Sequence, residues 1–243
     1  MKIIIPMAGL GSRFTTKNIY VPKPLVEVAG KYMIEWALKN IDRLSYSELI
    51  FIILKEHDNK FKLRSKLINL RVPKSKVLVL DEVTEGQLQT VLTAQESLKT
   101  DEDLLISPTD TYVLSNVKES IEKKSSHCSG IISVINKAGN QWSFAKTDKL
   151  GRVTLVAEKQ RISPLASTGI YYFTNSNKFL ALSNKIISSK EKTRGEFYVI
   201  PVYQKYIDEG HVININVAEQ MWDLGTPESA SSFERYFSNK ENG

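Results

Sequence analysis

Two cations lie close behind a pair of glycines near the start of the chain. Arg13 follows Gly11 within Ala8-Gly9-Leu10-Gly11-Ser12-Arg13-Phe14, and Lys23 sits between Pro22 and Pro24. The apolar run Ile3-Ile4-Ile5 precedes them, so the glycines read as a loop at the carboxyl end of a first buried strand. Glycine has no Cβ, which lets backbone N–H groups approach a phosphate chain. Arginine and lysine beside such a loop supply the charge that a triphosphate requires. Open α/β sheets bind their ligands at this edge. A tight strand-to-helix turn with a surface arginine accounts for the same residues. Two better-known phosphate motifs do not fit. Phe14 stands where a dinucleotide fingerprint needs its third glycine, and no Gly-Lys-Ser/Thr follows at P-loop spacing.

Carboxylates come next. Asp110 follows the apolar run Leu104-Leu105-Ile106 and the loop Ser107-Pro108-Thr109. An acid there can hold a divalent metal against phosphates, or serve as a turn or helix-capping residue. Asp223, in Met221-Trp222-Asp223-Leu224-Gly225-Thr226, reads as another strand-to-helix junction, with an Asx-turn as its alternative. A metal site needs both acids in one place, and sequence does not carry that distance. Glu158-Lys159 ends a predicted strand over 152–157. It offers one group for a hydroxyl and one for a phosphate, or else an exposed ion pair. Arg194-Gly195-Glu196 reads as a helix opening after a lysine-rich loop. Arginine there opposes the helix dipole, which points to a nearby anion or to a plain exposed side chain. His57, His127 and His211 lack metal-ligand spacing, and the lone Cys128 lacks a catalytic context.

The elements that must position these residues alternate in the first half. Strands are expected over 3–5, 49–54, 77–80 and 104–106, and helices over 33–44, 57–70 and 87–98. This alternation predicts a largely parallel three-layer α/β sheet, with the loops after Ile5, Leu80 and Ile106 on one edge. The second half is richer in strands: 130–135, 142–147, 152–157, 169–173 and 212–217 are predicted. Helices are expected over 196–210 and 228–238, the latter started by Thr226 and Pro227. With 243 residues, 42% of them hydrophobic, one domain with a sizeable core is expected over 1–243. Net charge is +6, but the lysines are scattered rather than interleaved with aromatics, which argues against nucleic acid. A single cysteine, no signal-peptide pattern and no apolar run of membrane length lead to an expected cytoplasmic location without membrane insertion.

Seven segments, in order along nearly the whole chain, resemble the sugar-1-phosphate nucleotidyltransferases, or nucleotide-sugar pyrophosphorylases, in a short bacterial form. They are the loop 9–14, Lys23-Pro24, 85–90, Thr109-Asp110, Glu158-Lys159 with 167–171, Arg194-Gly195-Glu196 and 222–226. The resemblance implies a GT-A-like, Rossmann-like mixed and mostly parallel sheet with a small β-rich acceptor lobe. It implies a nucleotide-binding half over 1–115 and an acceptor-binding half over 116–243. Ala8, Gly9, Leu10, Gly11, Ser12, Arg13 and Gly86 would bind the nucleotide. Arg13, Lys23 and Asp110 would be catalytic, Asp110 and Asp223 would hold Mg²⁺, and Glu158, Lys159, Gly169 and Arg194 would bind the acceptor. The reaction implied is attack of a sugar-1-phosphate on the α-phosphorus of CTP, UTP or dTTP, with release of pyrophosphate. The product would be an activated sugar for capsule or lipopolysaccharide synthesis. A cytidylyltransferase acting on a non-sugar phosphate and a non-catalytic nucleotide-binding protein are the alternatives, and a homodimer is a candidate assembly. The acidic stretch Asp81-Glu82-Val83-Thr84-Glu85 raises the expectation that a carboxylate meets an amino group on the base.

Overall fold

The computed structural model describes residues 1–11, 14 and 20–241. Thirteen strands occur among them: β1 (Lys2–Pro6), β2 (Glu27–Val28), β3 (Lys31–Tyr32), β4 (Glu48–Leu54), β5 (Ser75–Leu80), β6 (Leu104–Ile106), β7 (Thr111–Leu114), β8 (Cys128–Asn136), β9 (Ser143–Thr147), β10 (Val153–Glu158), β11 (Leu165–Phe173), β12 (Val212–Val217) and β13 (Gln220–Asp223). Nine of them build one mixed sheet. Its path runs β10-β9-β11-β6-β1-β4-β5, and β8 joins β11 to β12. The strands β6, β1, β4 and β5 are parallel to one another, and β11 turns antiparallel against β6, β8 and β9. This is the expected α/β class. The parallel strands β1, β4, β5 and β6 come from the first part of the chain; the second part adds the antiparallel pairings of β8 to β11 and the parallel pairing of β12 with β8.

Neighbouring residues on a strand point to opposite faces, so a strand covered on both sides is apolar throughout. On β1, Ile4 packs with Leu88, Val91, Phe179, Tyr203 and Tyr206, whereas Ile3 and Ile5 pack with Ile34, Ala37, Leu63 and Leu67. The first set belongs to helices Gln87–Leu92, Ser176–Ser188 and Ile200–Asp208. The second belongs to helices Met33–Leu38 and Leu63–Asn69. A third cluster lies apart from the sheet and joins Phe14, Val26, Val28, Met33 and Trp36 to Leu224, Ala230 and Phe233. It seats the helix Pro227–Glu241 on the β2–β3 hairpin. No helix among the described residues is long and apolar enough to cross a membrane.

Several predicted helices are shorter than expected, for local reasons. The helix expected over 33–44 ends at Leu38. Asn40 then turns its side chain to β7, donating from Nδ2 to Thr111 O at 2.8 Å and accepting at Oδ1 from Val113 N at 2.9 Å. The helix expected over 57–70 is two helices, broken where Lys62 adopts φ +56°. That expected over 87–98 splits into Gln87–Leu92 and Gln95–Leu98. Helix Ser176–Ser188, capped by Asn175 Oδ1 on Lys178 N at 2.8 Å, and strand β7 were not foreseen.

Asn40 satisfies two buried backbone groups of β7 at once. Asn40→Ala is expected to destabilise the fold by about 1–3 kcal/mol, the cost of leaving such groups unpaired. Urea unfolding would read this as a lower midpoint with an unchanged slope.

Candidate active site

Strands β7 and β13 form a separate two-stranded ribbon in which Thr111 pairs with Asp223 and Tyr112 with Trp222. One residue beyond that pair, Leu224 N donates to Asp110 O at 2.8 Å. The ribbon register therefore brings Asp110 and Asp223 side by side, although they lie far apart in sequence. Gly225 completes the arrangement. A Cβ at Gly225 would stand 2.7 Å from Asp223 Oδ1, 3.1 Å from Asp110 Oδ2 and 3.4 Å from Lys23 Nζ. The missing side chain leaves a small space that two carboxylates and one ammonium share.

Lys23 Nζ donates to Asp110 Oδ2 at 2.6 Å. The lysine starts a one-turn 3₁₀ helix, Lys23–Leu25, which Pro22 and Pro24 set on their fixed φ. Gly11, at φ +65°, lies against its stem; a Cβ there would be 3.5 Å from Lys23 Cγ. Asp223 does form the Asx-turn that was its alternative reading, accepting from Gly225 N at 2.8 Å. The turn aims the carboxylate at Asp110, so the two readings describe one geometry. Burial pushes the Asp223 carboxyl above its ordinary range, and the nearby Asp110 charge adds to that; Gly225 N–H, Lys23 and Lys137 oppose it.

Three hollows meet here. One, of about 400 Å³, is lined by Ala8, Gly9, Leu10, Gly11, Lys23, Val83, Thr84, Gly86, Gln87, Thr90 and Glu196. Gly86 has φ +130°, and a Cβ on it would strike Phe197 N and O at 2.5 Å, so only glycine fits. The acids of the 81–85 stretch do not face this hollow, contrary to the expectation from sequence. Asp81 is held outward by Lys55 at 2.7 Å, Glu85 by Lys192 at 2.5 Å, and Glu82 is exposed. In their place the wall presents Val83 and the bonded hydroxyls of Thr84 and Thr90, 2.6 Å apart.

A larger hollow of about 570 Å³ is lined by Asp110, Asp223, Glu158, Lys159, Gly169 and Arg194, with Trp142, Ser143, Glu196 and Tyr198. Glu158 is not part of an exposed ion pair. It accepts a short hydrogen bond from Ser143 Oγ, and burial pushes its carboxyl up against the opposing effects of Ser143, Lys159 and Arg194. Lys159 donates to Tyr198 OH, with its ammonium 4.4 Å from that ring's centroid, and Tyr198 OH donates to Glu196 Oε2 at 2.5 Å. Gly169, at φ +87°, lets β11 pass close to Pro108; a Cβ there would be 3.2 Å from that ring. Arg194 does not open a helix. It lies at φ +50° in a tight turn closed by the Thr193–Glu196 bridge, and the helix starts only at Ile200. The third hollow, about 320 Å³, is lined by Gly9, Lys23, Gln87, Asp110 and Tyr198 and shares walls with both others.

Of the residues singled out from sequence, Ser12 and Arg13 lie outside the described residues. The other residues expected to bind nucleotide, acceptor or metal or to act in catalysis, from Ala8 to Asp223, each line one of the three hollows, the 81–85 acids apart. Ser143, Tyr198 and Gly225 were missed, because their roles come from cross-strand and through-space contacts. Cys128 is buried, and burial pushes its thiol up, away from reactivity.

Among the described residues no group of three or more metal-type side chains occurs. Two aspartates share the space that Gly225 leaves open. Mg²⁺ is commonly held by one or two carboxylates together with substrate phosphates and waters. Asp110 and Asp223 fit an ion of that kind.

These hollows belong to a mixed α/β protein, and comparison with known proteins gives its family. The family model described as Nucleotidyl transferase matches residues 2–238, and the chain belongs to that family. It is 27% identical over 237 residues to the low-salt glycan biosynthesis nucleotidyltransferase Agl11 of Haloferax volcanii, covering 94% of this chain and 63% of that protein. It is 26% identical to the bifunctional protein GlmU of Methanococcus maripaludis, covering 99% of this chain and 55% of that one. The chain thus spans less than two thirds of these relatives. The crystal structure of the nucleoside-diphosphate-sugar pyrophosphorylase from Vibrio cholerae RC9 superposes with a TM-score of 0.82 at 27% identity, covering 96% and 99% of the two chains.

The charged form of Asp223 carries a cost in the folded state, since its folded pKa lies above the unfolded value. That cost is present at pH above the folded pKa and disappears as pH falls through it. Asp223→Asn keeps an acceptor for Gly225 N–H and is expected to stabilise the fold near neutral pH. The gain in urea midpoint over the parent should shrink as pH is lowered toward the ordinary carboxylate range.

Proposed function

We propose that the chain transfers a nucleoside monophosphate from a nucleoside triphosphate to a sugar-1-phosphate, releasing pyrophosphate and yielding an activated sugar for surface-glycan synthesis. One observation carries this reading: two aspartates share a space in the hollow lined by Lys159 and Arg194, and Asp110 also lines the third hollow, which shares Gly9, Gly11 and Lys23 with the first. Two substrates that must react at a phosphorus need such an arrangement, one hollow for each and shared charge at the junction.

The first hollow takes the nucleotide, with the base near Gly86, Thr84 and Thr90 and the phosphates along Gly9 and Gly11. Arg13 neutralises the triphosphate and the departing pyrophosphate. Lys23 moves from Asp110 toward the α-phosphate region, a short distance for a flexible side chain. Lys159 and Arg194 clamp the acceptor's phosphate, and Glu158 accepts from its hydroxyls. When bound, Mg²⁺ held by Asp110 and Asp223 adds charge stabilisation on phosphate oxygens. An oxygen of the acceptor phosphate forms the new bond to the α-phosphorus as the bond to pyrophosphate breaks. The protein's part is positioning and charge rather than covalent chemistry. Residues 1–115 serve mainly the nucleotide and 116–243 mainly the acceptor, with Gln87 and Glu196 reaching both.

The test is pyrophosphate release from CTP, UTP, dTTP and the purine triphosphates against a panel of sugar-1-phosphates and phospho-alcohols. One triphosphate with a sugar-1-phosphate is expected to dominate. A phospho-alcohol as sole acceptor would replace the sugar assignment, and no turnover with any pair would replace the enzyme reading. For the active pair, Asp110→Asn is expected to lower kcat by at least about a hundredfold while nucleotide binding persists. Chelation of divalent ions should stop turnover and added Mg²⁺ should restore it; turnover unaffected by both changes would remove the metal assignment.

A further inference from the structure

We infer that Tyr198 is a positioning residue of the acceptor site: its hydroxyl holds the Lys159 ammonium ready and yields it to the acceptor's phosphate. This rests on reading the larger hollow as the acceptor site. Lys159 lies past the end of β10 at φ +53°, so strand alternation no longer sets where its side chain points. Its N donates to Trp142 O at 2.9 Å, which fixes the backbone but leaves the flexible four-carbon stem free to turn. The ammonium is fixed instead by Tyr198, whose hydroxyl accepts from Nζ and whose ring centroid lies 4.4 Å from it.

Tyr198 is well anchored for this task. Its neighbours Phe197 and Val199 are buried, and Phe197 donates from N to Glu85 O at 2.7 Å and accepts at O from Leu88 N at 3.0 Å. Phe197 also lies against Gly86, a wall of the first hollow. Tyr198 itself lines the larger hollow with Lys159 and Arg194, and the third hollow with Gly9, Lys23 and Asp110. It therefore stands where the two substrates of the proposed reaction face each other. The proton of its hydroxyl goes to Glu196 Oε2 at 2.5 Å, which leaves the oxygen's lone pairs for Lys159. Burial and that hydrogen bond push the phenol well above its ordinary range, so it stays protonated at neutral pH. Among the described residues Lys159 makes no direct ion pair, unlike Lys192 with Glu85; the Glu196 carboxylate reaches it through the phenol. A phosphate oxygen is a stronger acceptor for an ammonium than a neutral phenol is. An arriving acceptor can thus take Lys159 over with no ion pair to break.

Tyr198→Phe keeps the ring and removes the hydroxyl, so the segment still packs while the ammonium loses its acceptor. Labelling with limiting acetic anhydride, read by peptide mass spectrometry, tests the hold without relying on turnover, and the exposed Lys149 is the internal reference. Lys159 is expected to label severalfold faster in Tyr198→Phe than in the parent, with Lys149 unchanged. An unchanged Lys159 rate would overturn the inference. Kinetics with the acceptor that the panel selects tests what the hold is for. Tyr198→Phe should raise the acceptor KM about tenfold and leave the triphosphate KM unchanged; added to Lys159→Met, it should cost less than about twofold more. An acceptor KM unmoved by Tyr198→Phe, or an equal rise when Lys159 is already absent, would overturn the inference and keep the acceptor reading. An acceptor KM unmoved by Lys159→Met would overturn the acceptor reading and the inference with it.

Discussion

The backbone pairing of β7 with β13 is the constraint on which the site depends. It is a ribbon of four residue pairs, outside the main sheet. Its register fixes which carboxylates meet. Asp110 stands one residue beyond the Thr111–Asp223 pair, where Leu224 N–H holds its carbonyl, so a slip in the pairing would change how the two carboxylates meet. The structure guards that register from both sides. Asn40 bonds to the outer edge of β7, and Tyr112 stacks on Trp222 with centroids 5.2 Å apart. Phe233 packs edge-on against both rings, so the helix Pro227–Glu241 acts as a clasp over the ribbon.

Two acids brought together in this way repel each other, and the surroundings show how that repulsion is managed. Lys23 neutralises Asp110, the Gly225 N–H steadies Asp223, and no side chain at Gly225 fills the space between them. The arrangement is tolerable in the free protein yet has room for more positive charge. The same cluster that seats the clasp also buries Phe14, the residue that ends the glycine loop. The loop, Lys23 and the two acids thus stand on one apolar footing, so they can hold a common geometry.

Much of this was legible in the sequence, and the reasons differ by element. The buried strands β1, β4 and β6 announce themselves as continuous apolar runs because both faces of a parallel strand are covered. The glycine loop, Asp110 and Asp223 were visible as residue types at strand ends. What sequence does not carry is the pairing of distant strands. Strand β7 is four residues long with mixed burial, and only its partner makes it a strand. Ser143 matters because β9 lies beside β10 at Glu158. Helix boundaries depart from the sequence periodicity where a side chain leaves its helix for another task, as at Asn40, or where backbone enters the left-handed region, as at Lys62 and Arg194. The acidic stretch before Gly86 misled in another way, since composition does not say which side chains lysines draw outward.

The central claim is that Asp110 and Asp223 act as one unit on a shared metal-bound nucleotide. Its most direct test is a double-mutant cycle on Mn²⁺ binding, followed by electron paramagnetic resonance in the presence of the triphosphate. If the acids share one ion, Asp110→Asn and Asp223→Asn should each weaken binding strongly, and the double variant little more than either single one. Losses that simply add, or a single variant that binds Mn²⁺ as the parent does, would contradict it.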